Sequence, residues 1–220
     1  MNITREKNKL HINLINSQRE LFLSITRTNI IEGSTITDNY KSLSFIGKEI
    51  IILSEYNNKM YVSTVLKMCH DLCKQLEYLI SSDKCIIGYS KKHVLVIDNE
   101  KFIYIPSDND LLDIIDNNMI ISSPFKLSDF YQSPETLSLN SIPSNIHYKS
   151  SYYSLGCLII DILVNNNVNN KEVNNECSSA SLLEINEKKL DSLLINGSKI
   201  YYFLKRCITR ETENRVILYI

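Results

Sequence analysis

Residues 60–105, MYVSTVLKMCHDLCKQLEYLISSDKCIIGYSKKHVLVIDNEKFIYI, decide the fold. In their first half apolar residues return at steps of three and four: Val62, Val65, Leu66, Cys69, Leu72, Cys73, Leu76, Leu79 and Ile80. That spacing predicts one amphipathic helix across 60–81. The period then changes. VLVID (94–98) and KFIYI (101–105) are short apolar runs around Asn99-Glu100, and Asp-Asn turn chemistry predicts a hairpin.

Toward the N-terminus, residues 10–16 and 20–31 are rich in Ile, Leu, Phe and Thr and read as strands. A third strand is expected within 43–55, where Ile50-Ile51-Ile52-Leu53 suggests burial on both faces. Toward the C-terminus, residues 106–150 lack a long period and carry Pro106, Pro124, Pro134 and Pro143, so an irregular segment with short helical pieces is expected. YYSLGCLIIDILV (152–164) is apolar almost all round and predicts a buried helix. An Asn-rich surface loop (165–175) and helices over 182–196 and 199–208 complete the chain. This order predicts an α+β fold. A small β-rich lobe, residues 1–56, would join a mainly helical lobe, residues 57–220.

Composition narrows the function classes. The 220 residues include 24 Lys+Arg against 25 Asp+Glu, a net charge of −1 that gives no electrostatic case for nucleic acid. No apolar run is long enough to span a bilayer, and MNITREKNKL has no apolar core of a secretory signal. Neither membrane attachment nor secretion is expected, and the six cysteines are expected as free thiols in a cytoplasmic setting. Cys69, His70 and Cys73 resemble metal ligands, but no second pair follows at zinc-site spacing, so they read as one helix face. Five glycines, none closely spaced, leave no glycine-rich phosphate cradle. Abundant Asn and Ile with no Trp suggest an AT-rich genome, such as that of a large DNA virus, an amoeba or an apicomplexan parasite.

Six stretches in order resemble the protein-kinase family across residues 43–217. EIIILSEYNNKM (49–60) looks like the last small-lobe strand entering the hinge. LCKQLEYLISSDKCII (72–87) is similar to the helix before the catalytic loop, and VLVIDNEKFIYI (94–105) to the hairpin after it. YQSPETL (131–137) resembles the APE motif, KSSYYSLGCLIIDIL (149–163) the buried helix of the large lobe, and RCITRETENRVIL (206–218) the closing Arg motif.

The resemblance assigns positions one by one. The family's HRDLKPEN falls on Ile86 to His93, which puts Gly88 at the catalytic Asp and His93 at the metal-binding Asn. Glycine has no group to accept a hydroxyl proton, and neutral imidazole suits Mg²⁺ poorly. DFG falls on Pro106-Ser107-Asp108, so the main metal ligand becomes Pro106; a shifted alignment would bring Asp108 or Asp110 there. Ser151 stands where the family's Asp holds the catalytic-loop backbone. No lysine strand precedes a helix bearing a Glu, and Lys41 and Lys48 read as solvated turn residues, as do Lys91-Lys92 and Glu187-Lys188-Lys189. Structural positions persist: Ile86 under the loop, Gly156 in the buried helix, and Glu135 with Arg215, which in the family form a buried pair. A local alternative pairs Arg215 with Glu211 at i,i+4.

The resemblance therefore implies a pseudokinase, not an enzyme, that works as a protein-binding or regulatory module. It implies no catalytic residue, no metal, no cofactor and no binding of ATP with Mg²⁺. Its expected partner is a protein, not nucleic acid or membrane. Two alternatives are a divergent active Ser/Thr-type kinase that uses Asp98, Asp108 or Asp110, and a structural virion scaffold.

Overall fold

The computed structural model describes residues 1–107, 110–124, 130–167 and 179–217. Strands β1 (Asn2–Glu6) and β2 (Lys9–Asn13) form a hairpin, which β4 (Ser42–Ile46) and β3 (Thr35–Thr37) extend into an antiparallel sheet of order β1-β2-β4-β3. The register sets Leu10 opposite Phe45 and Ile12 opposite Leu43, and all four are buried. The strand expected over 10–16 thus ends at Asn13.

Residues 20–31 are not a strand. Arg19–Thr26 form helix α1, with Leu21, Phe22 and Ile25 fully buried. Their spacing places them on one helical face, and burial of that face against the sheet overrides the β-branched composition. The expected single strand over 43–55 is two strands, because the chain turns at Gly47-Lys48 before β5 (Ile50–Ile52). Ile50, Ile51 and Ile52 are each half-buried, not buried on both faces, and Leu53 opens a short 3-10 turn.

Helix α2 (Val62–Ser81) buries Val65, Met68, Cys69, Leu72, Cys73, Leu76 and Leu79, while Val62 and Leu66 turn outward. Strands β7 (Val94–Ile97) and β8 (Lys101–Tyr104) form the expected hairpin. Asp98 and Asn99 take φ of 51° and 59°, a left-handed conformation that Asp and Asn tolerate. β5 joins β7, giving the order β5-β7-β8. The hairpin alternates between two cores: Val94, Val96, Phe102 and Tyr104 face the larger one, and Leu95, Ile97, Ile103 and Ile105 the smaller one under α1.

The segment expected to be irregular carries a sheet. β6 (Lys84–Ile86), β9 (Leu111–Ile115), β10 (Asn118–Ile121) and β11 (Ser144–His147) pair in the order β11-β10-β9-β6. A second Asp-Asn turn, Asp116-Asn117 at φ 49° and 65°, joins β9 to β10. Helix α3 (Pro134–Leu137) opens on a reciprocal cap between Ser133 and Thr136.

Helix α4 (Ser150–Asn167) is buried at every residue from 150 to 160. At Gly156 an added Cβ would lie 2.9 Å from Cys207 Cβ and 3.0 Å from Ile208 Cγ2, so glycine permits the close approach to α6 (Lys199–Cys207). α4 runs three residues into the expected loop, whose remainder, 168–175, lies outside the described residues. α5 (Ser179–Asp191) ends earlier than the helix expected over 182–196. Cys69, Cys73, Cys85, Cys157 and Cys207 are buried free thiols, and Cys177 lies outside the described residues. Burial pushes the Cys85 and Cys157 thiols up to about 12, so neither offers a thiolate at neutral pH.

Candidate functional site

Strand β6 delivers the chain to the loop that resembles the catalytic loop. Ile86 is buried beneath it. The backbone that follows is held from three sides. Tyr89 N–H donates to Ser154 Oγ at 2.7 Å, Tyr104 Oη donates to the Gly88 carbonyl at 2.7 Å, and Tyr131 N–H donates to the Tyr89 carbonyl at 2.8 Å. The expected anchor, Ser151, does not take this part. Its hydroxyl donates to Tyr148 O one turn back, 2.7 Å away, and touches Cys85 Sγ at 3.2 Å. Ser154, nearly one helical turn further along α4, reaches the loop instead.

Gly88 is more than a missing carboxylate. A Cβ at this position would stand 3.1 Å from Phe130 Cβ and 3.1 Å from Ser154 Oγ. The side chain of the returning segment occupies the direction that an aspartate would need. His93, at the metal-binding position, contacts Tyr104 Oη through Nδ1 at 3.4 Å and Ser107 Oγ through Nε2 at 3.3 Å. Its ring lies between Tyr104 and Phe130, with centroids 5.9 and 6.5 Å away. Burial raises the Tyr104 phenol well above its ordinary value, so it stays a neutral donor to the loop.

The carboxylates named as substitutes are employed elsewhere or lie beyond description. Asp98 Oδ1 accepts Lys48 N–H and Glu49 N–H, each at 2.8 Å, and fastens the β4–β5 turn to the hairpin. Asp110 Oδ2 accepts Ser107 N–H at 3.1 Å, and its carbonyl accepts Ile87 N–H at 3.1 Å, which closes a turn. Pro106 is buried. Asp108 lies outside the described residues. No three His, Cys, Asp or Glu side chains converge on a metal-sized space among the described residues.

Lys91 is not the solvated charge that the sequence suggests. Its Nζ meets Asp161 Oδ2 at 2.5 Å, and the same oxygen accepts Tyr131 Oη at 2.7 Å and Asn165 Nδ2 at 3.1 Å. This clasp joins the loop, α4 and the segment before α3. A cleft of about 120 Å³ beside it is lined by Tyr131, Gln132, Cys157, Asp161, Asn186 and Lys189. That volume is well below the several hundred Å³ of a cofactor-sized site. Lys92, Glu187, Lys188 and Lys189 are exposed.

Helix α1, whose composition reads as a strand, bears a glutamate that the sequence leaves unassigned. α1 follows β2 and carries Glu20, but Glu20 Oε1 meets Arg19 Nη1 at 3.3 Å and its Oε2 is buried without a partner. Lys9, Lys41 and Lys48 are exposed, and none of them is bonded to Glu20 among the described residues.

Arg215 is fully buried and bidentate on Glu135: Nη1 to Oε2 at 2.9 Å and Nη2 to Oε1 at 2.7 Å. Its remaining donors reach the carbonyls of Thr209, Lys149 and Arg210. The Glu135 carboxylate also accepts Ser150 Oγ and Thr212 Oγ1. Desolvation pushes this carboxyl up, but the Arg215 hydrogen bonds and charge outweigh it, and the net shift is downward. Local pairing with Glu211 does not occur: the described partners of Arg215 are Glu135, backbone carbonyls and the Tyr153 ring, whose centre lies 5.0 Å from the guanidinium carbon.

Among the described residues no helix is long and apolar enough to cross a membrane. No curated protein matches the chain. Residues 18–219 match the family described as protein tyrosine and serine/threonine kinase. The chain belongs to that family.

Proposed function

We propose that the chain is a catalytically silent kinase relative that acts as a protein-binding, regulatory module in the cytoplasm. It is organised as a reduced small lobe, residues 1–56, and a large lobe, residues 57–220, and it takes no metal, nucleic acid or membrane as partner. One observation carries this reading: Gly88 stands at the catalytic carboxylate's position, and a side chain there would crowd Phe130 Cβ and Ser154 Oγ, each 3.1 Å from its Cβ. Phosphoryl transfer depends on metal charge and positioned groups, and a loop packed shut around a glycine supplies neither. Tyr104, Ser154 and Tyr131 hold the loop backbone in place, and residues 85–90 are buried.

The test is phosphotransfer from radiolabelled ATP to generic protein substrates, with thermal melting in ATP with and without Mg²⁺. No label transfer and no Mg²⁺-dependent shift are expected. A ligand at 100 times its Kd would stabilise the protein by about 2.7 kcal/mol, a shift of several degrees. Label transfer, or a shift that requires Mg²⁺, overturns the reading.

A further inference from the structure

The outer face of α6 and the turn before it form a surface that neither the fold nor the loop explains. Residues 199–210, KIYYFLKRCITR, hold four cations and no acid. Ile200, Tyr201, Phe203, Leu204 and Cys207 fill the core, which leaves Lys199, Tyr202, Lys205 and Arg206 on one exposed arc. Arg210 follows, also exposed. Lys205 Nζ lies 5.8 Å from the centre of the Tyr201 ring. No ion pair engages Lys199, Arg206 or Arg210 among the described residues. Cations near a helix C-terminus favour its dipole, which accounts for Lys205 and Arg206. Lys199 stands in the first turn, where a cation opposes the dipole, so helix stability does not account for the stripe. One apolar group lies within it in the open: Tyr202 is 54% exposed.

We propose that this face docks an acidic, extended segment of a protein partner, with an apolar side chain set against Tyr202. The proposal rests on the reading of the chain as a binding module and names where and what it binds. Lys199 and Arg206 are about 10 Å apart along the helix, between the roughly 7 Å and roughly 13 Å that separate carboxylates two and four residues apart on one face of an extended strand. A concentrated positive stripe on a chain of net charge −1 selects an acidic partner by complementarity. A sequence pI near 6.4 argues against nucleic acid, and one exposed tyrosine is too little for insertion into a lipid surface.

The test uses a fluorescein-labelled acidic peptide of sequence EELEEFEE and reads anisotropy at two salt concentrations. The wild-type chain is expected to bind it, more weakly at high salt, and Lys199→Glu with Arg206→Glu to weaken binding at least about tenfold. Lys41→Glu with Lys48→Glu makes the same net charge change elsewhere and is expected to leave binding within about twofold. Unchanged melting temperatures show that both variants fold. Anionic phosphatidylserine vesicles and a single-stranded oligonucleotide are run in parallel. No peptide binding, equal loss in both double variants, or tighter stripe-dependent binding of vesicles or oligonucleotide each overturns the proposal. Phosphotransfer is read independently, so failure here leaves the catalytic silence to its own assay.

Discussion

Replacing Glu135 with alanine strands the fully buried Arg215 guanidinium and leaves Ser150 and Thr212 without their acceptor. A buried pair broken on one side costs on the order of 3–5 kcal/mol. Glu211→Ala removes an exposed carboxylate that Arg215 does not use, and a loss under about 1 kcal/mol is expected. Urea unfolding separates the two; equal losses would defeat the assignment. Because the folded Glu135 pKa lies below its ordinary value, the pair stabilises above the unfolded glutamate range, near pH 4.3, and that stability is lost as pH falls through the folded pKa. Glu135→Gln is expected to flatten the acid limb of a stability–pH profile; an unchanged limb counts against the pair as its source. At Gly88 the argument is steric. Gly88→Asp must displace Phe130 or Ser154 from 3.1 Å, so a loss of about 1–3 kcal/mol and no gain of phosphotransfer are expected. Gly88→Asp combined with Phe130→Gly, which removes the contacting Cβ, is expected to lose less than the sum of the two single changes, and a single change without cost would show that the loop has room.

At the scale of elements, α4 works through one hydroxyl. Ser154→Ala leaves the buried Tyr89 N–H without its acceptor, an expected loss of about 1–3 kcal/mol. Ser151→Ala removes a local bond to the turn that precedes α4 and is expected to lose under about 1 kcal/mol. The reverse order in chemical denaturation would return the anchoring part to Ser151. The contrast shows how far pattern carries. Motif spacing placed Ser151 at the family position, but which hydroxyl reaches a loop depends on rotamer and helix rotation. α2 and α4 were legible because the 3.6-residue period and all-round apolarity are local. α1 was not, because Ile, Thr and Phe favour strands until a sheet is present to bury Leu21, Phe22 and Ile25. β9 and β10 were legible in principle: IIDNNMII repeats the Asp-Asn chemistry of VIDNEKF, and both turns have positive φ. The closure over Gly88 was not, since Phe130 lies 42 residues away and no periodicity joins them.

At the scale of the whole molecule, the β7–β8 hairpin is a wall shared by two cores. Leu95, Ile97, Ile103 and Ile105 are each no more than 2% exposed, and the residues that cover them lie in β2, α1, β4 and the turns between. Removing residues 1–56 would bare all four. Each fully buried large apolar side chain contributes roughly 1.5–3 kcal/mol, so about 6–12 kcal/mol would be lost. That equals the whole stability of a typical domain, about 5–15 kcal/mol. The fragment 57–220 is therefore expected not to fold cooperatively, although it retains α2, α4 and the Glu135–Arg215 pair. Tyrosine near-ultraviolet circular dichroism suits the measurement, since the chain has 13 tyrosines and no tryptophan. The full chain should melt in one sharp step. The fragment should show weak, sloping dichroism and bind a hydrophobic dye. A soluble, monomeric fragment with a sharp transition would mean that the larger core stands without the smaller one. The boundary at residue 56 would then separate independent domains, not two halves packed on one hairpin.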